Sequence, residues 1–489
     1  MGRFRAGWLS QIGIGGERPE PESGAPSVAV PLHARLPVGE LAADAVAVLA
    51  AAMDSARAAR LGRPSAATSS AATPGAAIRL DPQRIADSFR SDQLGRLDGK
   101  PFPAWAPLSG FFAAGDGWVR THANYPWHAA ALAGVLGINA EGPNAAARAG
   151  EAIRERSAHE LERAVFAAGG LAVAVREADT WAAERAADQR GTVLEAGRSV
   201  AGFRVTPNEQ PGVRWPAPQQ PADVLPLAGV RVLDLTRVIA GPTGTRALAS
   251  LGADVLRVDA PGRAEPFWQW LDTGRGKRST LLDLRARADA RTLRELASTA
   301  DVLVCGARPG ALAHAGLDPD QLVAEYPGAV IASVAAWEPG GTWGSRRGFD
   351  SLVQAASGIA LVESDGSGTP GKLPAQALDH SAGALIASGV LGLLARGTGG
   401  RVETVLEGIA LALLHAGRAP VDPSSLRGSE PGSVTDVQPV ASSGPNRPSA
   451  PTAWGELLLA GPPYQPAWQP EPGPWGGRAW GADQPVWLD

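Results

Sequence analysis

The chain has 489 residues, which is enough for roughly two or three domains with a core each. Its formal net charge of −4 argues against a nucleic-acid partner, and the single cysteine, Cys305, excludes a disulfide framework and a thiolate-rich metal centre. Gly, Arg, Asp or Pro interrupts every apolar run before it reaches membrane-spanning length, and the N-terminus lacks a signal-peptide core. We therefore expect a cytoplasmic protein with no metal, no nucleic-acid partner and no membrane partner.

The first part of the chain, residues 1–220, carries mixed helix and strand signals. Residues 1–30 are rich in Gly, Pro and Glu, and we expect them to be flexible. Residues 31–220 are predicted to contain helices at 37–61, 127–136, 145–168 and 181–191, a hairpin turn at Asp116 and Gly117, and a strand that leads into a helix at 172–178. A Ser/Ala/Thr/Pro linker is predicted at 64–75, and the polar, proline-rich stretch 199–226 predicts a domain boundary.

The second part, residues 221–415, alternates strands with helices. It opens with a strand at 230–235, a break at Gly241 and Pro242, a helix at 243–251 and a second strand at 255–258. Further elements are predicted at 290–299 (helix), 301–305 and 329–335 (strands), 350–358 (loop to helix) and 379–395 (helix). This alternation predicts a doubly wound parallel sheet that binds its ligand at the carboxyl edge. Residues 416–489 form a tail rich in Pro, Gly and Trp that is either disordered or an extended strap.

Several phrases within residues 225–414 resemble one family in the right order. They are LAGVRVLDLTRVIAGP (227–242), LGADVLRVDAPG (251–262), GKRSTLLDL (276–284), ADVLV (300–304), RPGAL (308–312), GFD (348–350) and GGRVETVLE (399–407). The block is similar to the large domain of the family III CoA-transferases, the CaiB/BaiF family, which includes formyl-CoA transferase and, as a catalytic cousin, α-methylacyl-CoA racemase. The resemblance implies an α/β fold with a Rossmann-like large domain and a smaller α+β domain.

The order of the parts is unusual for that family. Residues 108–195 are similar to the smaller part that follows the large domain in the family, and here they precede it. Residues 37–53 echo the helix at 379–394, with Val38 or Gly39 where Asp379 stands, so we expect a degenerate duplicate and one catalytic centre per chain. The resemblance also implies an interlocked homodimer.

Asp379 occupies the position of the family's catalytic aspartate. The resemblance implies that its carboxylate attacks an acyl-CoA thioester, forms a mixed anhydride and then an aspartyl-CoA thioester, and passes CoA to an incoming carboxylic acid. From the residues alone, Asp379 is an acid at a helix start, which favours the ionised form and leaves a plain N-cap as the alternative. Asp350 and His380 are possible supporting residues, and a helix cap is the better explanation of Asp350.

Coenzyme A is implied as part of a thioester substrate, with no tightly bound cofactor. The positions that match CoA-contacting segments of the family are Val238, Ile239, Ala240, Lys277, Leu282 and Arg285. Basic or polar residues of relatives are missing at other positions, namely Ala260, Gly306, His314 and Ala335. These departures predict a weakened phosphate clamp.

Two alternatives to a transferase remain open. One is a catalytically idle family member that binds CoA esters or only a partner. The other is an acyl-CoA racemase or isomerase, which Phe349 disfavours because the racemase carries a histidine there. His122 and His128 lack a carboxylate at ligand spacing and are predicted to be ordinary interface or surface histidines.

Overall fold

The computed structural model describes residues 2–14, 29–62, 78–188, 200–211, 225–306, 310, 313–417, 447–468 and 478–488. Up to residue 211 the elements are α1 (Arg5–Gln11), α2 (Val38–Arg60), β1 (Ile78–Arg79), α3 (Pro82–Phe89), α4 (Ser91–Leu94), β2 (Arg96–Leu97), β3 (Lys100–Pro101), β4 (Gly110–Ala114), β5 (Gly117–Thr121), α5 (Pro126–Leu136), α6 (Ala145–Arg154), α7 (Ala158–Ala167), β6 (Ala172–Ala174), α8 (Ala178–Asp188) and β7 (Phe203–Pro211).

The remaining elements follow the segment that the structure leaves undescribed at 212–224. They are β8 (Arg231–Leu235), α9 (Ala240–Ser250), β9 (Asp254–Asp259), α10 (Phe267–Thr273), β10 (Arg278–Leu281), α11 (Arg287–Ser298), β11 (Val302–Cys305), α12 (Pro319–Glu325), β12 (Val330–Ala335), α13 (Asp350–Ser357), α14 (Ile359–Val362), α15 (Ala377–Ala395), β13 (Thr398–Val405), α16 (Leu406–His415), β14 (Ser449–Thr452), β15 (Gly455–Leu458) and β16 (Gln465–Pro466).

A seven-stranded sheet in the order β10-β9-β8-β11-β12-β13-β7 forms the centre of the large domain. The six strands β8 to β13 are parallel, and β7 joins the edge of the sheet antiparallel to β13. The predicted doubly wound sheet is therefore confirmed. Helix α9 begins at Ala240, before the predicted start at 243, because Gly241 and Pro242 belong to its first turn. A proline is tolerated there, since the N–H groups of the first turn have no acceptor within the helix.

The predicted boundary at 199–226 does not separate two cores. Strand β7 lies inside that stretch and completes the large sheet, and α2 packs along α15 in the main hydrophobic cluster. The prediction that residues 1–30 are flexible is also wrong for residues 2–14, which the structure describes. Trp8 in α1 is fully buried, and its indole Nε1 donates to the carbonyl of Val200 at 3.2 Å. Residues 15–28 and the predicted linker at 64–75 lie outside the described residues.

Helices α2 and α15, whose sequences echo each other, pack against each other. Counted from the N-caps Pro37 and Gln376, the third helical residue is Glu40 in one and Asp379 in the other. The prediction that Val38 or Gly39 takes the place of Asp379 is therefore wrong by helix position. The two acids differ in surroundings, because Glu40 pairs with Arg3 on the surface at 3.2 Å while Asp379 is buried.

A smaller α+β unit is built from the antiparallel sheet β4-β5-β6 and helices α5, α6 and α7. The single helix predicted at 145–168 is two helices, interrupted at 155–157. Asp116, in the predicted hairpin turn, explains the interruption. Its carboxylate accepts hydrogen bonds from the Ser157 hydroxyl and the Ala158 N–H, both at 2.7 Å, and so caps the start of α7.

The described part of the C-terminal tail forms an extended strap. Strands β14 and β15 pair with each other and, through β15, with β2, while β16 pairs with β1. Residues 478–488 follow the free edge of β10, where Asp483 donates its N–H to the Ser279 carbonyl at 2.8 Å. Residues 418–446 and 469–477 lie outside the described residues.

Helix α15 is long and apolar enough to cross a membrane by length and composition alone. The most apolar window of this helix is wholly buried inside the protein, as expected for the core helix of a globular domain. It packs against α2, α9 and β13. The buried position of α15 accounts for its apolar composition without a membrane.

The close contact between α15 and α9 depends on Gly383. A Cβ atom there would lie 2.0 Å from the Thr243 hydroxyl and 2.6 Å from the Ala240 carbonyl, whereas a Cβ at the exposed helical Gly134 would meet no atom within 4 Å. We expect Gly383→Ala to lower the free energy of unfolding by about 1–3 kcal/mol through overpacking. Gly134→Ala is the matched control and should raise it by up to ~1 kcal/mol through helix propensity. Urea denaturation measures both, and equal effects of the two substitutions would contradict this packing.

Candidate active site

A cleft of about 590 Å³ opens at the carboxyl ends of β8, β9, β11 and β12. The smaller unit contributes Tyr125, Trp127 and His128 to its wall, and Asp379 reaches it from the start of α15. This is the edge of a parallel sheet at which ligands commonly bind. Of the predicted CoA-binding residues, Val238, Ala240 and Leu282 also line the cleft, and they are brought together with Asp379; the buried Ile239 is not part of the lining.

Asp379 is the third residue of α15, and it is not the N-cap of that helix. Gln376 occupies the N-cap, and its side chain makes no capping hydrogen bond. Instead, the Leu378 and Asp379 N–H groups donate to Oδ2 of Asp350 at 2.9 and 3.0 Å. Asp350 therefore caps α15 from another helix, and the plain N-cap alternative for Asp379 is wrong. No described residue donates a hydrogen bond to the Asp379 carboxylate.

The Gln354 side chain fixes the orientation of the Asp350 carboxylate. Its side-chain Nε2 donates to Oδ1 of Asp350 at 2.5 Å, and its Oε1 accepts the N–H of Leu373 at 2.9 Å. Asp350 is thus held on both oxygens and is almost fully buried. The cap therefore has one orientation, and it positions the first turn of α15 relative to the cleft.

The carboxyl groups near Asp379 make its ionisation unfavourable. Burial, followed by the charges of Asp350 and Asp92, raises the pKa of Asp379 well above its usual range. Burial likewise raises the pKa of Asp350, and burial together with the charge of Asp272 raises the pKa of Asp92 to about 7. The expectation that the helix start keeps Asp379 ionised is wrong, because the helix N–H groups are bonded to Asp350 and a dipole worth ~1 kcal/mol cannot offset desolvation.

The loop before α9 holds a strained backbone at the cleft. Val238 has a φ of 71°, in the left-handed region that β-branched residues avoid. Its N–H donates to Oε1 of the buried Glu265 at 2.6 Å, and Glu265 pairs with Arg257 at 3.0 Å. A strained residue held by a buried ion pair is typical of a ligand-binding loop.

Lys277 was predicted to offer charge to a phosphate, and this prediction is wrong. Its Nζ lies in the core, 3.0 Å from Oδ2 of Asp234, 2.9 Å from the Pro242 carbonyl and 2.6 Å from the Thr245 hydroxyl. The lysine thus fastens α9 to β8. Arg285 lies on the surface outside the lining and pairs with its neighbour Asp283 at 2.9 Å, so its contact with CoA stays a prediction.

Four arginines that the motif comparison did not select line the cleft: Arg237, Arg263, Arg346 and Arg347. The guanidinium of Arg263 lies 4.4 Å from the Trp127 ring centre, and that of Arg237 lies 5.3 Å from the Tyr125 ring centre. Arg237 directly precedes the predicted loop, and Arg263 follows the second strand shortly after Ala260, so both were within reach of sequence reasoning. Arg237 also pairs with Glu265 at 3.5 Å, whereas Arg263 has no acidic partner among the described residues and supplies positive charge where the family pattern is missing.

The three histidines near the site have separate surroundings. His380 faces away from the cleft, stacks on Phe89 with ring centres 5.2 Å apart, and has its pKa lowered to about 4 by burial. His122 and His128 are buried at the interface of the smaller unit with the cleft, so the surface alternative is wrong. His122 stacks on Phe349 with ring centres 3.9 Å apart, and burial lowers its pKa to about 3. Within the described residues, no group of three metal-ligating side chains is arranged for a metal.

Residues 227–430 match the model of the family described as "CoA-transferase family III". The chain is 33% identical over 220 residues to a "Probable fatty acyl-CoA transferase Rv3272" of Mycobacterium tuberculosis, covering 40% of this chain and 56% of that protein. It is 33% identical over 215 residues to the succinyl-CoA:glutarate CoA-transferase of Mus musculus, covering 41% of this chain and 48% of that protein. The chain therefore spans about half the length of these relatives.

Solved structures match over a similar share of the chain. The crystal structure of Rv3272 is 32% identical, with a TM-score of 0.37, over 39% of this chain and 58% of that one. A CaiB/BaiF family protein from Brucella suis is 26% identical, with a TM-score of 0.36, over 39% of this chain and 56% of that one.

The buried Asp92 gives a pH-dependent contribution to stability. Because its pKa is raised from 3.8 to about 7 on folding, that contribution is present at low pH and is lost as the pH rises through about 7. We expect Asp92→Asn to remove this loss, so that the variant gains stability relative to the native chain between pH 4 and pH 7. The gain should be at most ~4 kcal/mol, since each pKa unit corresponds to ~1.4 kcal/mol.

The control is Asp116→Asn, because hydrogen bonds from Ala158 and Ser157 lower the pKa of Asp116. Its substitution should destabilise the chain by a nearly constant amount from pH 4 to pH 7, because a group with a lowered pKa stays ionised throughout this range. Thermal unfolding across this pH range measures both. A stability difference for Asp92→Asn that stays constant from pH 4 to pH 7 would show that the Asp92 carboxyl is not buried as described.

Proposed function

We propose that the chain, whose residues 227–430 match the model of CoA-transferase family III, transfers CoA from an acyl-CoA thioester to a carboxylic acid with Asp379 as the attacking group. The observation that carries this proposal is the position of the Asp379 carboxylate, which faces the cleft and accepts no hydrogen bond from a described residue. Asp350 supports it by bonding the helix N–H groups that would otherwise engage that carboxylate.

Each proposed step forms one bond at the carbonyl carbon and breaks one. A carboxylate oxygen of Asp379 attacks the thioester carbonyl, the carbon–sulfur bond breaks, and CoA leaves as a thiolate from a mixed anhydride. The thiolate attacks the Asp379 carbonyl carbon, which releases the first acid and leaves an aspartyl-CoA thioester. The incoming carboxylate then takes CoA by the same two steps in reverse.

The raised pKa of Asp379 supports this role in two ways. A carboxylate with a raised pKa is more basic, and therefore a stronger nucleophile once ionised, than an ordinary one. The resting neutral form also avoids three buried negative charges at Asp379, Asp350 and Asp92. The reaction requires the ionised form, so activity should increase with pH through the raised pKa.

The cleft suits the nucleotide and the pantetheine arm of CoA. Its apolar wall includes Val258, Leu282 and Leu284, and its cations include Arg237 and Arg263. The guanidinium of Arg263 has a ring contact and no acidic partner among the described residues, which leaves its N–H groups available for phosphate oxygens. We place the phosphates of CoA beside these two arginines.

The residues of the cleft give less support to a racemase, in which a base removes the proton next to the thioester. Phe349 lines the cleft where the racemase carries a histidine, and the low pKa of His122 behind it makes that imidazole a weak base. His380, which directly follows Asp379 in the sequence, faces away from the cleft. Transfer is therefore preferred to racemisation.

The nucleophile is tested with Asp379→Asn. Incubation of the native chain with an acyl-CoA should leave CoA attached to the peptide that contains Asp379, which mass spectrometry detects and hydroxylamine cleaves. The variant should form no adduct, lose transfer by a factor on the order of 10³ or more, and still bind CoA in calorimetry. Full activity of the variant would remove Asp379 from the mechanism, and CoA binding by the native chain without an adduct would favour the idle alternative.

The phosphate contacts are tested by calorimetry of CoA binding. We expect Arg263→Gln and Arg237→Gln each to raise the Kd for CoA by ~10–100-fold, because a charged hydrogen bond contributes ~1.5–3 kcal/mol. Arg285→Gln is the matched control on the surface and should leave the Kd nearly unchanged. The opposite ranking would move the phosphates to Arg285 and out of the position proposed here.

A further inference from the structure

A second cavity, of about 320 Å³, lies on the other side of α15. Helices α2, α3, α9 and α15 and the strap residues 448–464 form its walls, and it shares no lining residue with the cleft. Successive residues of α15 line the two cavities: Asp379 lines the cleft, and His380 lines the second cavity. Its volume is near the lower end of the range of small-molecule sites, ~300–1,000 Å³.

Most of the wall is apolar. Val46 and Leu49 come from α2, Phe89 from α3, Ala384 from α15, and Leu457 and Leu459 from the strap. An apolar wall favours a ligand with an apolar body, because contact with it removes apolar surface from water. It also excludes a ligand whose whole surface is polar.

Two arginines give one part of this wall a net positive charge. Arg246 and Arg275 both line the cavity, and a single carboxylate, that of Asp272, lies 2.7 and 3.5 Å from their guanidinium nitrogens. The Asp92 carboxyl near Asp272 is neutral below its raised pKa of about 7, so two cations and one anion leave one unbalanced positive charge. Arg246 donates hydrogen bonds only through Nη1, so its Nε and Nη2 have no partner among the described residues.

The imidazole of His380 adds a buried polar group without a partner. The residue is 5% exposed, and its Nε2 has no hydrogen-bond partner within the described ranges. Burial lowers the pKa of His380 to about 4, so the ring is neutral at physiological pH and can donate or accept one hydrogen bond. A buried polar nitrogen without a partner costs free energy unless a ligand bonds to it.

We propose that this cavity binds a monocarboxylic acid with an apolar body, its carboxylate against Arg246 and Arg275 and its body along the strap. One net positive charge matches one carboxylate, whereas a phosphate dianion would bring an uncompensated charge into an apolar wall. The apolar side chains of Leu457 and Leu459 face the body of the acid. Nε2 of His380, on which the charge of Arg246 acts, donates a hydrogen bond to the carboxylate of the acid. The site is separate from the cleft and does not depend on the proposed transfer reaction.

Arg275, one of the two arginines that would hold the acid, also holds the strap in place, together with contacts elsewhere along it. Arg275 Nη2 donates to the Ala460 carbonyl at 2.7 Å, and the Ser250 and Tyr464 hydroxyls lie 2.9 Å apart. Arg447 at the start of the strap bonds the Asp87 carboxylate at 2.7 and 3.0 Å. Binding of the acid would therefore add contacts between the strap and the large domain and protect the strap from hydrogen exchange.

The probe for the test is octanoate, titrated into the full chain by calorimetry. We expect octanoate to bind both the free chain and the chain saturated with CoA, and 1-octanol, which lacks the charge, to bind at least ~10-fold more weakly. Arg246→Gln should weaken octanoate binding by ~10–100-fold and leave CoA binding intact, which also shows that the variant is folded. Hydrogen exchange in residues 448–464 should slow on octanoate binding.

Ala384→Leu provides a second variant, because it fills the cavity without changing its charge. It should weaken octanoate binding while Arg263→Gln, the control in the cleft, leaves octanoate binding unchanged. Absence of octanoate binding to the native chain, loss of binding when CoA is saturating, or equal binding of 1-octanol would each overturn the proposal.

Discussion

The carboxylate of Asp350 accepts the first N–H groups of α15, and the proposed chemistry depends on this contact. A helix start normally stabilises an acid in its own first turn. Here that stabilisation is given to Asp350, which reaches α15 from α13 and is fixed from behind by Gln354. Asp379 is left with burial, two nearby carboxyl groups and an open cleft, and these conditions raise its pKa and keep its oxygens available.

Buried ion pairs hold the rest of the cleft around that acid. Arg257 pairs with Asp259 at 2.8 Å and with Glu265 at 3.0 Å, and Glu265 accepts the N–H of the strained Val238. The buried ion pair between Lys277 and Asp234 helps to hold α9 against β8. Removal of one partner would leave a buried charge unpaired, which costs several kcal/mol, roughly 3–5. These groups position the backbone that lines the cleft. Arg237, a cation that faces the cleft, reaches the same carboxylates, 3.5 Å from Glu265 and 4.0 Å from Asp259.

The sequence predicted the elements whose signals are local and missed those whose partners lie far along the chain. Four strands of the parallel sheet (β8, β9, β11 and β12), the hairpin at Asp116 and Gly117 and the core helix α15 were recognised from short apolar runs, turn residues and spacing, whereas β10 and β13 were not predicted as strands. Strand β7 was taken for a boundary because its proline-rich pattern is polar and its pairing partner, β13, comes almost at the end of the domain. Asp379 followed from the family resemblance, but the cap by Asp350 and the burial of Lys277 depend on packing that no local pattern encodes. The order of the two domains relative to the family stays a prediction.

The central claim is that Asp379 is a buried, unbonded carboxyl group with a raised pKa. Carbon-13 NMR titration of the aspartate carboxyl groups tests it most directly, with the Asp379 signal assigned by its absence from Asp379→Asn. The account predicts that Asp379 titrates well above the ordinary value of ~3.9 for aspartate. A titration at or below that value would show that the helix start stabilises Asp379 itself, and it would contradict the account.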